Sequence, residues 1–174
     1  MSSTAHVSHS TEFLTGVRDY LVELLNEEHP ATSKVLAAVR EGDWRPDPKS
    51  RSAAEIAWHI ATSEFWFLKS VADGKFEGGD TPPLPSSLHE IVSFYEKGFA
   101  EQIARVSKLT PAQLAANVNF YGMVNPNYRY LDFCLRHSIH HRAQLSCYLR
   151  PLGGKVPSIY GGSADEPWQG PPTA

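Results

Sequence analysis

The stretch RHSIHHRAQLSCYLR, residues 136–150, places three of the chain's eight histidines within five positions: His137, His140 and His141. Residues four apart on a helix share a face, so the rings of His137 and His141 can reach one point in front of it. This is how HxxxH pairs hold a transition metal. In the zinc proteases a glutamate follows the first histidine and serves as general base. Here Ser138 follows, so that chemistry lacks its base. At about 100° per residue, the stripe through the pair also contains Tyr130, Phe133, Gln144 and Tyr148 and faces inward. Burying two imidazoles is costly unless each finds a partner, and a shared ion would satisfy both. The competing reading is one hydrogen-bonded core histidine with the others in solvent. His140, toward the edge of the face, reads as solvent-facing.

Two ligands are too few for tight binding. Residues 53–72 are apolar nearly all round, and against that background Glu55, His59 and Ser63 recur at four-residue spacing. His59 needs a partner there, either a metal or a backbone carbonyl of the core. Glu55 reads first as a helix cap. It is also the carboxylate that spacing offers as alternative ligand, ligand support or acid–base group. His6 and His9 fall in a polar tail, His29 precedes Pro30, and His89 opens a helix. None of these points to chemistry.

Helical spacing dominates the elements that must position these side chains. Ser10 or Thr11 opens a first helix carrying Leu14, Val17, Leu21, Leu24 and Leu25, kinked or split at Pro30 and ending before Gly42. Ser52 and Glu55 form a capping box for a second helix that stops at Gly74. Residues 76–85 are a loop by composition. Ser86 or Ser87 opens a third helix to about Lys108, and Pro111 suits the start of a short fourth. NFYGMVNPN breaks the pattern, and the last long helix runs from about Tyr128 to Leu149. Pro151 and the Gly153–Gly154 pair end it, and the Gly- and Pro-rich remainder reads as an extended tail. No strand is predicted. Four long amphipathic segments imply an all-α four-helix bundle, residues 11–174 as one domain, after a flexible tail at 1–10. The long links after the first two helices permit crossovers.

With 174 residues, 41% hydrophobic and 20% charged, the chain is expected to fold as one ordinary globular domain. A net charge of −3 and no basic stripe argue against nucleic-acid binding. No apolar run approaches the roughly 20 residues of a membrane span, and MSSTAHVSHS lacks the form of a secretory signal, so a cytoplasmic location is expected. Cys134 and Cys147 form no CxxC pair and read as buried, inert thiols. Arg142 points away from the ligand stripe and is expected to pair with Asp132, Asp165 or Glu166.

AWHIA on the second helix, followed by RHSIHHRAQLSCYLRPLGGKVPSIYG, resembles the DinB family of bacterial metal-binding four-helix bundles. The most specific element is HxxxHRxQ: His137, His141, Arg142 and Gln144. Ala143 stands where many relatives have glycine, and Phe133 where some carry a polar residue or histidine. The resemblance implies a divalent ion held by His59, His137 and His141, with zinc or nickel favoured by all-nitrogen ligation. It also implies an S-transferase or isomerase using a low-molecular-weight thiol, such as bacillithiol or mycothiol, against a small electrophile in stress or detoxification metabolism. The expected pocket is lined by Tyr130, Trp66 and Tyr148. Two alternatives remain: a non-catalytic metal-binding stress protein, as a homodimer, or a metal-dependent hydrolase using Glu55.

Overall fold

A computed structural model of the chain describes residues 9–78 and 81–170. Its long helices are α1 (Thr11–Ala37), α2 (Ala53–Asp73), α3 (Leu88–Val106) and α5 (Tyr128–Leu149), with a short α4 (Pro111–Ala115) between α3 and α5. The expected caps form. Ser52 and Ser87 each accept from the backbone three residues on, while Glu55 and Glu90 reach back to the cap nitrogens. Gly74 ends α2 in the left-handed conformation that glycine adopts without steric cost. Pro30 neither splits nor ends α1, which is a single helix through Ala37. The notion of a flexible tail at 1–10 lies largely outside the described residues, as does His6. His9 is described, stacked on Phe13.

The expectation of no strand is corrected. Residues 117–126 form a two-stranded antiparallel hairpin, β1 (Asn117–Phe120) with β2 (Met123–Pro126), joined by Tyr121 and Gly122. Both linking residues have positive φ, 49° and 87°, which suits the twist of a two-residue hairpin turn. The side chain of Asn119 accepts from the Gly122 amide and tightens the turn. Four-residue strands are too short to show alternation, and Tyr121 occupies a position that asparagine or glycine usually signals.

α1 packs mainly against α3 and α5, and α2 against the same two helices. Thus α1 and α2 stand on one diagonal of the bundle, α3 and α5 on the other. The link 38–52 crosses the first diagonal, and the segment holding α4 and the hairpin crosses the second. The loop after α2 joins neighbours instead. Gly98 lets α3 close on α2: a Cβ there would lie 3.0 Å from the Phe65 ring.

The core comes in two halves. One gathers Leu14, Leu21, Phe67, Val106 and Leu131, the other Val35, Ile56, Ile60, Ile91 and Leu145. Between them lies a layer of buried polar side chains: Thr32, Glu64, Ser138 and Arg142. Arg142, 2% exposed, donates to the Glu28 carbonyl, the Thr32 hydroxyl and the Tyr160 hydroxyl, and pairs with the Glu28 carboxylate. Its expected partners are otherwise engaged. Asp132 pairs with Arg136, Asp165 with Arg150, and Glu166 accepts from the Ser158 amide. The residues after α5 therefore fold back onto the bundle, where Tyr160 also donates to Glu28.

Breaking a buried ion pair from one side costs about 3 kcal/mol or more, and losing an N-cap costs about 1 kcal/mol. Denaturant unfolding should therefore show Arg142→Ala as several-fold more destabilising than Ser52→Ala. Equal losses would mean that the Arg142 pair contributes no more than a surface contact.

Candidate metal centre

The three histidines singled out in the sequence meet at the seam between α2 and α5. His59, His137 and His141 are partly buried, and one ring nitrogen from each lies within 4.8 Å of the others. His59 Nε2 and His141 Nε2 are 3.3 Å apart. Two nitrogens bound to one tetrahedral ion at about 2.0–2.1 Å also lie about 3.3–3.4 Å apart. The His141 ring is fixed by Gln144, whose Oε1 lies 3.0 Å from Nδ1. A carbonyl oxygen there selects the tautomer with the proton on Nδ1, which leaves the Nε2 lone pair facing His59. Without a proton or cation between them, two such lone pairs would repel. His137 Nδ1 is buried with no hydrogen-bond partner. The donor set therefore fits a divalent ion of borderline softness.

Electrostatics agree with that fit. Burial pushes His59 down to about 4, assisted by the positive charge of Arg51 and the neighbouring imidazoles. His137 is likewise pushed to about 4, first by burial and then by His141, His140 and Arg51. His141 is lowered by burial, partly offset by Gln144. Near neutral pH the rings are uncharged, the form in which imidazole binds a metal. His140 is exposed beside His141, as expected.

The cluster opens onto a cavity of about 440 Å³ with aromatic walls, among them Trp66, Phe67, Phe94, Phe120 and Phe133. Of the expected lining residues only Trp66 is there. Tyr130 is buried with its hydroxyl donating to the Val118 and Met123 carbonyls, and Tyr148 packs in the other half-core against Trp44. Phe133, expected on the inward stripe, does line the cavity, and the hairpin supplies Phe120 and Tyr121.

Glu55 is not part of the site. Its carboxylate closes the capping box on the Ser52 amide and binds Arg45. Cys134 is buried as expected, whereas Cys147 is exposed. The residue the sequence reading missed is Glu64. It is 4% exposed and accepts from Ser138, the neighbour of His137 on α5. Burial raises its pKa, against a smaller lowering by the Ser138 hydrogen bond. A carboxylate between Ser63 and the apolar run Phe65–Leu68 was the available signal. His29 is also more than a neighbour of Pro30: it pairs with Glu96 and stacks on Phe99.

Comparison with known proteins agrees with this fold. A family model described as the DinB superfamily matches residues 15–145, and the chain belongs to that superfamily. The uncharacterized protein YrdA of Bacillus subtilis (strain 168) is 28% identical over 152 residues, covering 85% of this chain and 90% of its own. The crystal structure of a DinB-like protein from Bacillus cereus ATCC 10987 superposes with a TM-score of 0.70 at 26% identity, over 80% of this chain and 95% of that one. A second DinB-like protein, YjoA from Bacillus subtilis, shares the fold with a TM-score of 0.64 at 21% identity, over 80% of this chain and 97% of that one. Among the described residues no helix is long and apolar enough to cross a membrane.

The depressed histidines have a measurable consequence. Their folded pKa values lie below the ordinary 6.5, two of them at about 4, so the unfolded chain binds more protons between these limits. The site is neutral to stability above pH 6.5 and destabilising below it. Metal-free protein should lose more stability from pH 7.5 to 4.5 than a His59→Ala/His137→Ala/His141→Ala variant does, by denaturant unfolding. Parallel losses would show that these rings titrate normally.

Proposed function

We propose that the chain is a metal-dependent S-transferase that joins a low-molecular-weight thiol, such as bacillithiol or mycothiol, to a small electrophile. The observation that carries this reading is the opening of a three-imidazole cluster onto an aromatic cavity with no Cys or Lys among the described residues that line it. The hydroxyls of Thr62 and Ser63, on the cavity wall, donate to the carbonyls of Trp58 and His59. The sulfur must then come from a co-substrate.

His59, His137 and His141 would hold the ion as neutral donors, and Gln144 keeps His141 in the tautomer that presents Nε2. A divalent ion there, zinc or nickel by ligand type, would lower the pKa of a coordinated thiol and favour thiolate near neutral pH. The thiol proton passes to solvent, the sulfur forms a bond to carbon, and the leaving group departs with the electrons of the bond that breaks. The aromatic walls exclude water from that exchange. Arg51, whose charge reaches all three imidazoles, adds positive potential on the thiol's approach. Hydrolysis is the weaker reading, because Glu55 is committed to its cap and to Arg45. The reading places the protein in the cytoplasm, in stress or detoxification metabolism.

Zinc- or nickel-loaded protein should conjugate bacillithiol or mycothiol to a model electrophile such as 1-chloro-2,4-dinitrobenzene above the uncatalysed rate. His137→Ala and His141→Ala should each abolish that excess with folding intact. Gln144→Ala should lower metal affinity by about 10- to 100-fold, as loss of a ligand's supporting hydrogen bond does. Full activity in the histidine variants would remove the transferase, and water-dependent cleavage without added thiol would replace it with a hydrolase.

A further inference from the structure

The walls of the cavity define the kind of molecule it admits. Among the described residues that line it there is no Lys, Arg, Asp or Glu, and its titratable members are His59, His137 and Tyr121. The lining hydroxyls of Thr62 and Ser63 are turned back onto α2 carbonyls at 2.8 and 2.5 Å. The rest is mostly ring: Trp66 lies 5.8 Å from Phe120 and 6.4 Å from Tyr121, Phe67 lies 5.2 Å from Phe133, and Phe120 lies 5.9 Å from Phe133. Such walls attract by area and ring stacking, with little directional hydrogen bonding. In the metal-free cavity, an anion would lose hydration without meeting a cation among these lining residues.

Tyr121 supplies an independent observation. It sits at the hairpin turn with φ of 49°, a conformation that non-glycine residues seldom adopt, and the residue is 80% exposed while lining the cavity. A large ring held out beside a cavity that Trp66 and Phe120 also line gains most when a flat apolar surface comes to lie beneath it. The hairpin therefore furnishes part of the wall and part of the mouth.

We infer that this cavity binds an uncharged, planar aromatic body, with its reactive carbon at the His59–His137 end and Tyr121 stacking over it at the mouth. As the substrate class of the transferase, this rests on the metal-site reading above. The thiol then approaches from the side of His141 and Gln144, which do not line the cavity, so the two substrates do not compete for one wall.

The cavity can be tested apart from the metal. Calorimetric titration with indole and with indole-3-acetate, on metal-stripped and on zinc-loaded full-length chain, separates ring recognition from coordination. Indole is expected to bind saturably to both forms, and indole-3-acetate about tenfold or more weakly than indole to the metal-stripped chain. Trp66→Ala and Tyr121→Ala should each weaken indole about threefold or more. The exposed position of Tyr121 keeps its variant informative if Trp66→Ala disturbs folding. No saturable indole binding, equal or tighter binding of the carboxylate to the metal-stripped chain, or unchanged affinity in Tyr121→Ala would overturn the inference. Indole binding in a chain that takes up no metal would leave the cavity standing and remove the transferase. Conjugation without indole binding would do the reverse.

Discussion

The polar layer at mid-height of the bundle constrains the rest of the structure. Two apolar half-cores meet there, and Arg142 and Glu64 enter the protein interior between them. Groups like these are tolerated only when partnered. Arg142 finds a carboxylate, a carbonyl and a hydroxyl on α1 and a second hydroxyl on the segment after α5. Glu64 finds Ser138. These bonds join α1 to α5 and α2 to α5 at one level, and so fix the height at which His137 and His141 stand opposite His59.

The site follows from that alignment. Ser138 and Arg142 directly follow His137 and His141, so the interior face of α5 is anchored while its seam face carries the imidazoles. Aligned in this way, His59 Nε2 and His141 Nε2 are brought to 3.3 Å. Burial keeps the rings neutral, and the hydrogen bond that His141 Nδ1 donates to Gln144 settles which nitrogen of His141 is free. Neutral imidazoles pointing at one another at this separation are a metal-binding geometry. The aromatic cavity beside them gives the cluster an open side.

Much of this was legible in the sequence, for local reasons. Capping boxes, a terminal glycine and the i, i+4 spacing of His137 and His141 are properties of single helices, and they placed α2, α3 and α5 nearly as observed. His59 stood out because it sits in so apolar a helix. What remained hidden depends on neighbours. Periodicity says which face Arg142 is on, but not that Glu28 of α1 lies opposite it. It says that Tyr130 and Tyr148 face inward, but not that they pack in two different half-cores away from the cavity. The hairpin was missed because each strand is only four residues long, and with it went the cavity wall that Phe120 and Tyr121 supply. Glu64 was passed over although a carboxylate amid apolar residues carries the same kind of signal that drew attention to His59.

That the three histidines hold an ion is the central claim, and elemental analysis tests it most directly. Untagged protein purified without chelators would be compared with the His59→Ala/His137→Ala/His141→Ala variant. About one divalent ion per chain in the native protein, absent from the variant, is the expected result for a single three-imidazole site. No bound ion, even after reconstitution with zinc or nickel, would contradict it and leave the cluster as packing at the α2–α5 seam.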